Sequence, residues 1–199
     1  MTEIKDGKRI ITSPVTDEDL RDLKIGDTFY VSGTMVTSRD SAHKRFLTDG
    51  ESFPVDMNGG ILFHAGPIVQ TDRAGCKSVV SIGPTTSMRM EQFEYDFIKA
   101  TGVRIIIGKG GMGDRTAAAC REFGAIHCVF PGGCAVLGAS AVEEIKAEHW
   151  ADLGMAEAAW ELRVKEFGPL VVSIDTSGRN YFTEKERRCS SAVHSETPP

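Results

Sequence analysis

The stretch Gly83-Pro84-Thr85-Thr86-Ser87-Met88-Arg89, together with Ile107-Gly108-Lys109-Gly110-Gly111 further along, decides how this chain folds. Pro84 stops the strand that precedes it. Met90, Phe93 and Phe97 then recur at helical spacing, so 88–100 reads as a helix with one apolar face. Val103–Ile107 is an apolar run of strand length that ends on a glycine-rich turn. Thr85, Thr86 and Ser87 therefore fall near a helix N-terminus, where free amides and the helix dipole favour an anion. Arg89 falls on the first helical turn and Lys109 at a strand end. The two can face the same way if their strands are neighbours.

The same rhythm continues downstream. Asp114 is a suitable N-cap for a helix over 114–123, a strand follows at 126–130, and a short helix is expected around 138–145. Residues 156–166 suit helix or strand, and 169–175 reads as a strand. Upstream, Thr16 can cap a short acidic helix over 17–23. Residues 28–36 are rich in β-branched and aromatic side chains and read as a strand. Ser38 can cap a helix over 39–47, and short strands are expected at 61–64, 68–70 and 77–82. Strands first and helix–strand alternation later predict an α/β fold with a mixed, partly parallel sheet. One domain is expected over 1–182, with a polar tail over 183–199 that should fray.

With 199 residues, of which 41% are apolar, the chain can bury a substantial core as one unit. The net charge of −5 and the lack of a basic stripe argue against nucleic acid. No apolar run approaches 18 residues, which argues against a membrane span. The polar start, Met1–Arg9, has no signal-peptide core, so the cytoplasm is the expected compartment. The five cysteines form no Cys-x-x-Cys pair and no common metal spacing.

Four stretches bear on chemistry. Arg39 and His43 stand four apart and would share a helix face, with Asp40 able to reach His43 or Lys44; a solvated charged helix start is the plain alternative. Thr85 with Arg89 is more pointed: one hydroxyl is a cap, but three in a row beside an arginine, where the dipole disfavours cations, is a local conflict typical of a working site. Gly108–Gly113 matches G-x-G-x-x-G, yet no acidic residue follows at the ribose-binding distance, and Lys109 is not followed by Ser or Thr. It is then a tight packing turn or a turn that aims Lys109 at an anion. His64, at a strand end, reads as a structural histidine. Trp150 and Trp160 read as core anchors. Together Arg39, Arg89 and Lys109 suit a dicarboxylate, two guanidinium forks and one point charge. The sequence offers no strong base and no metal site of its own, so an enzyme built on it would need machinery from a second chain.

At these same residues the sequence resembles the β subunits of iron–sulfur-dependent class I hydro-lyases, a family that includes two-subunit class I fumarases and L(+)-tartrate dehydratase. It is also similar to the C-terminal domain of single-chain class I fumarases. The markers are Gly33-Thr34, Arg39-Asp40 with His43, His64-Ala65-Gly66-Pro67, Gly83-Pro84-Thr85-Thr86 with Arg89-Met90, Ile107-Gly108-Lys109-Gly110-Gly111, Asp152-Leu153-Gly154-Met155, and Phe167-Gly168-Pro169 before Ile174-Asp175. The resemblance implies a swivelling β/β/α domain. It implies a [4Fe–4S] cluster on a partner α subunit in a hetero-oligomer such as α2β2, with no cofactor held by this chain alone. It implies that Arg39, Arg89 and Lys109 bind a small dicarboxylate, that Thr85 takes the C–H proton, and that Asp40 and His43 belong to the catalytic set. Stretches 34–45, 83–93, 149–155 and 164–175 look nearer to tartrate dehydratase β subunits than to fumarases. The implied reaction is therefore L(+)-tartrate to oxaloacetate, with fumarate/L-malate hydration next and an anion- or nucleotide-binding regulatory module as the distant alternative.

Overall fold

A computed structural model describes residues 1–187. Strands β1 (Thr2–Lys5) and β2 (Lys8–Thr12) form a hairpin, and helix α1 (Asp17–Leu20) follows. Thr16 caps α1 through a capping box with Asp19. Strand β3 (Thr28–Thr37), helix α2 (Asp40–Leu47) and strand β4 (Ile61–Phe63) come next, then a small antiparallel pair, β5 (Ile68–Thr71) and β6 (Lys77–Ser81). Helix α3 (Glu91–Thr101), strand β7 (Ile105–Gly108), helix α4 (Asp114–Phe123) and strand β8 (Ile126–Val129) make the alternating middle. Helix α5 (Ala135–Ser140) leads into strand β9 (Val142–His149) and the long strand β10 (Ala159–Ile174).

The main sheet runs β1-β2-β3-β4-β7-β8-β10-β9, and β10 also pairs with β3. That extra pairing closes β3, β4, β7, β8 and β10 into a ring. Neighbours from β2 to β8 are parallel, whereas β10 is antiparallel to β3, β8 and β9. The sheet is thus mixed and partly parallel, as the alternation predicts. Register shifts in β10 between Val164 and Phe167 and between Phe167 and Leu170 let one strand serve three neighbours, since extra residues bend a strand.

Strand alternation sorts the apolar residues into two cores. Ile61, Phe63, Ile105, Ile107, Ile126 and Cys128 point into the ring beside Phe29, Phe167 and Leu170. The intervening Leu62 and Ile106 point outward, against Phe97 and Ile98 of α3 and Ala117 and Cys120 of α4. A run such as Ile105-Ile106-Ile107 is apolar throughout because both of its faces are covered.

Several local expectations need correction. The helix after Ser87 begins as a 3-10 turn, Ser87–Met90, before α3. Residues 138–145 are not one helix: α5 ends at Ser140 and β9 starts at Val142. The ambiguous 156–166 stretch falls largely within β10. Ser38 does not cap α2, whose N-cap is Arg39, because its hydroxyl turns to His43. Trp160 is a core anchor, but Trp150 is only partly buried. Residues 181–187 are helical, and the rest of the expected tail, 188–199, lies outside the described residues.

Candidate active site

Because β3, β4 and β7 are parallel, their carboxyl ends lie on one edge of the ring. Ser38-Arg39-Asp40 leaves β3 there, His64-Ala65-Gly66 leaves β4, and Lys109 leaves β7. Such an edge is where parallel α/β sheets present ligand-binding groups. The 85–89 segment is stitched onto it by main-chain bonds: the Thr85 amide donates to the His64 carbonyl (2.7 Å), Lys109 donates to the Thr85 carbonyl (3.0 Å), and Ser87 donates to the Lys109 carbonyl (3.0 Å). Residues far apart in sequence therefore meet.

The centre of the edge is a clamp. Arg89 donates from Nε to Asp40 Oδ1 (2.9 Å) and from Nη2 to Asp40 Oδ2 (2.7 Å). The same Nη2 donates to Thr85 Oγ1 at 2.7 Å. Arg39 Nε lies 3.5 Å from Asp40 Oδ2 and 2.8 Å from Glu157 Oε1. Asp40 thus sits between two guanidinium groups and does not reach His43 or Lys44 as the sequence suggested. Hydrogen bonding from Arg89 holds the Asp40 carboxyl down at about 2, despite partial burial, and Asp40 in turn raises Arg89. Glu157 accepts from the Ser41 amide (2.8 Å) while it holds Arg39. Arg39 Nη1 crosses Gly66, where a Cβ would come within 2.9 Å of it.

Lys109 is exposed, and its side chain crosses Gly132, where a Cβ would meet Cδ at 3.0 Å. Its backbone bridges Thr86. Arg39 and Arg89 thus meet two fixed carboxylates, Asp40 and Glu157, and the Lys109 backbone joins the same segment at Thr85 and Thr86.

The helix-start anion site suggested for Thr85–Ser87 is largely taken by protein oxygens, and so is the start of α4. The amides of Thr85, Ser87 and Arg89 all donate to backbone carbonyls. At the start of α4 the Glu91 carboxylate accepts from the amides of Gly113 (2.7 Å), Arg115 (3.1 Å) and Thr116 (3.3 Å) and from the Thr116 hydroxyl (2.6 Å). Glu91, not Asp114, caps that helix. The glycine turn at 108–113 packs closely on its neighbours: Gly108 faces Ser87, Gly111 packs on Phe182, and Gly113 faces Glu91.

His43 does not share the open face with Arg39. It is fully buried, with Nδ1 3.0 Å from Ser38 Oγ and 3.1 Å from the Arg39 carbonyl, and Nε2 3.6 Å from Glu94 Oε2. Glu94 also meets His64 Nε2 at 3.1 Å. Among the described residues, His43, His64 and Glu94 are the one group of three metal-ligating side chains, with ligand atoms within 4.8 Å of one another. An iron–sulfur cluster needs thiolates. Cys120 and Cys128 are buried and their thiols are pushed up by that burial, while Cys76 is exposed and Cys134 half-buried. The described residues do not fit such a cluster.

Sequence reasoning missed Glu157 and the buried set Glu94, His127 and Ser173. Glu94 carried a signal: it lies on the inward stripe of α3, one turn from both Met90 and Ile98, where an acid needs a partner. Glu157 carried none, because its partners are more than a hundred positions away.

The family model described as Fumarase C-terminus matches residues 2–185. The L(+)-tartrate dehydratase subunit beta of Escherichia coli strain K12 is 53% identical over 181 residues, 90% of this chain and 89% of that protein. A putative L(+)-tartrate dehydratase subunit beta of Methanocaldococcus jannaschii is 41% identical, over 87% of this chain and 91% of the relative. A putative class I fumarate hydratase of Geobacillus stearothermophilus is 39% identical over 90% of this chain but only 35% of its own length. By the span of that match and these identities, the chain belongs to the fumarase C-terminus family.

Proposed function

We propose that this chain is the β subunit of an iron–sulfur hydro-lyase that dehydrates L(+)-tartrate to oxaloacetate, working only with an α subunit that carries the [4Fe–4S] cluster. Identity above half to a tartrate dehydratase β subunit supports the substrate. The observation that carries the reading is the clamp: two arginines fixed by one aspartate, with the Thr85 hydroxyl on one of them. We place the pair in an α2β2 assembly in the cytoplasm, and we read the closed mixed sheet as a swivelling β/β/α domain that closes over substrate.

Arg39, Arg89 and Lys109 bind the two carboxylates of the diacid. Arg89 has committed Nε and Nη2 to protein oxygens, which leaves Nη1 for substrate. Asp40 and Glu157 keep the guanidinium forks apart and oriented before substrate arrives, so less order is lost on binding. Thr85 Oγ1 removes the proton from the carbon beside a carboxylate. A threonine hydroxyl is a weak base, and it would accept the proton as its alkoxide, formed by prior loss of its own proton to solvent and stabilised by the Arg89 contact at 2.7 Å. The same cations stabilise the charge that spreads onto the carboxylate as the C–H bond breaks. Loss of the neighbouring hydroxyl group leaves an enol, which tautomerises to oxaloacetate. A cluster on the partner would supply Lewis-acid chemistry for that departure, and no residue of this chain is assigned to it.

The second reading is fumarate/L-malate hydration, favoured by the class I fumarate hydratase relative. Co-purified α and β chains, handled without oxygen, should form oxaloacetate from L(+)-tartrate faster than fumarate from L-malate. The reverse preference selects the second reading, and no turnover of either diacid overturns both.

A further inference from the structure

Directly beneath the clamp runs a dry string of polar side chains. Ser38 Oγ meets His43 Nδ1 (3.0 Å), and His43 and His64 both present Nε2 to Glu94 Oε2 (3.6 and 3.1 Å). His64 Nδ1 meets Ser87 Oγ (3.0 Å), Ser87 Oγ meets His127 Nε2 (3.1 Å), and His127 Nδ1 meets Ser173 Oγ (2.6 Å). Ser173 is 2% exposed and the other six are 0% exposed. Gly108 makes room for the string: a Cβ there would sit 1.7 Å from Ser87 Oγ. The string touches every strand of the ring, through Ser38 after β3, His64 after β4, Gly108 on β7, His127 on β8 and Ser173 on β10.

The links between Ser173 and His64 can be satisfied with the protons running either way. Each serine has one proton to give, and each neutral imidazole has one donor and one acceptor. In one direction Ser173 donates to His127, His127 to Ser87, Ser87 to His64, and His64 presents N–H at Nε2. In the other, Ser173 donates to the His127 carbonyl 3.1 Å away, every later bond reverses, and His64 aims a lone pair at Glu94. An ionised Glu94 permits only the first direction. Burial alone would push the Glu94 carboxyl up, but the facing His64 and His43 outweigh it and hold it well below its usual range. Burial keeps His127 neutral, with its pKa pushed down to about 3.

We propose that Glu94 is a positioning residue: its carboxylate sets the proton direction of the string from His64 to Ser173, and by facing His64 and His43 it fixes both substrate segments, 85–89 and 38–40. This inference rests on the hydro-lyase reading. On one side His43 holds Ser38, next to Arg39. On the other Ser87 anchors the turn between Thr85 and Arg89. Burying a carboxylate is costly unless it is fully paired, and among the described residues Glu94 pairs with neither an arginine nor a lysine. A network that serves orientation accounts for its place better than one that serves stability.

The test uses the assembled α/β enzyme with histidine labelled by 15N in the β chain. Glu94→Gln keeps the shape but can face His64 as donor or acceptor. Its kcat/KM on L(+)-tartrate should fall by about 10- to 100-fold, the usual cost of losing a group that orients working residues. The 15N shifts should show the rings at 64 and 127 switching from Nε2–H to Nδ1–H. Ser87→Ala, which cuts the string without touching a charge, should cost at least tenfold while the protein still melts cooperatively, and it decides the matter if Glu94→Gln does not fold. Wild-type turnover in either variant, or an unchanged tautomer pattern in Glu94→Gln, overturns the inference. A stoichiometric metal ion between the two imidazoles also overturns it. Failure of the wild-type complex to dehydrate any C4 diacid sinks the hydro-lyase reading instead.

Discussion

The site has two polar layers built from similar residue types, one wet and one dry. In the upper layer Asp40 and Arg89 are 38% and 44% exposed, and their pairing is worth little to stability because water competes for both. In the lower layer Glu94, His64 and His127 are sealed from water, and every unmatched donor or acceptor there carries its full desolvation cost. The contrast teaches where each layer spends its chemistry. On the proposed function, the upper layer governs what binds and reacts. The lower layer governs where the upper one stands.

Substitutions in the two layers should therefore part activity from stability. The largest effect belongs to Thr85→Val, which removes the proton acceptor; kcat on L(+)-tartrate should fall by about 100- to 10,000-fold, with KM nearly unchanged. Arg89→Ala removes a donor to the charge that develops in the transition state and should cost about 100- to 1,000-fold in kcat/KM, with an unaltered melting transition. Asp40→Asn leaves Arg89 present but loosely held, so a smaller loss of about tenfold is expected, equivalent to roughly 1.4 kcal/mol of orientation. Its stability should stay within about 1 kcal/mol of wild type, as for other exposed pairs. A large drop in melting temperature from any of these three would erase the distinction between the layers.

Acid should reverse the pattern. His127 binds its proton at about 3 when folded and near 6.5 when unfolded. The unfolded chain therefore holds the extra proton between those values, and stability rises with pH across that window. From pH 6.5 down to pH 5 the loss from this one group is about 2 kcal/mol. Denaturant titrations at the two pH values should show that loss in the wild type and not in His127→Gln. Asp40 acts in the same direction at lower pH: with its carboxyl held down at about 2, its contribution is present above the ordinary carboxylate range and is lost as pH falls toward about 2.

Much of the upper layer was legible in the sequence. Arg39, Asp40, Thr85, Arg89 and Lys109 all flank chain breaks, and the strand periods put those breaks at strand ends. The parallel run β3-β4-β7-β8 followed from helix–strand alternation. What escaped depended on pairing at long range. Nothing local says that β10 would bond to β3 and close the ring, or that Glu157 would reach back to Arg39. The helix over 138–145 failed because Ala135–Ser140 is a short helical turn and the residues after it are held as a strand by β10. The anion site expected at the helix start near Thr85–Ser87 failed because backbone carbonyls had already claimed the amides of Thr85, Ser87 and Arg89. His43 matched the spacing of a surface neighbour of Arg39, yet Glu94 and the aromatic ring of Phe97, 4.6 Å away, draw it inside.

The most direct test of the central claim is the rate of oxaloacetate formation from L(+)-tartrate by this chain alone, by the chain with its α subunit under anaerobic conditions, and by the same pair carrying Arg89→Ala. The account predicts turnover only in the pair, reduced about 100- to 1,000-fold by the substitution. Turnover by the chain alone, or an Arg89→Ala pair within threefold of wild type, would contradict it.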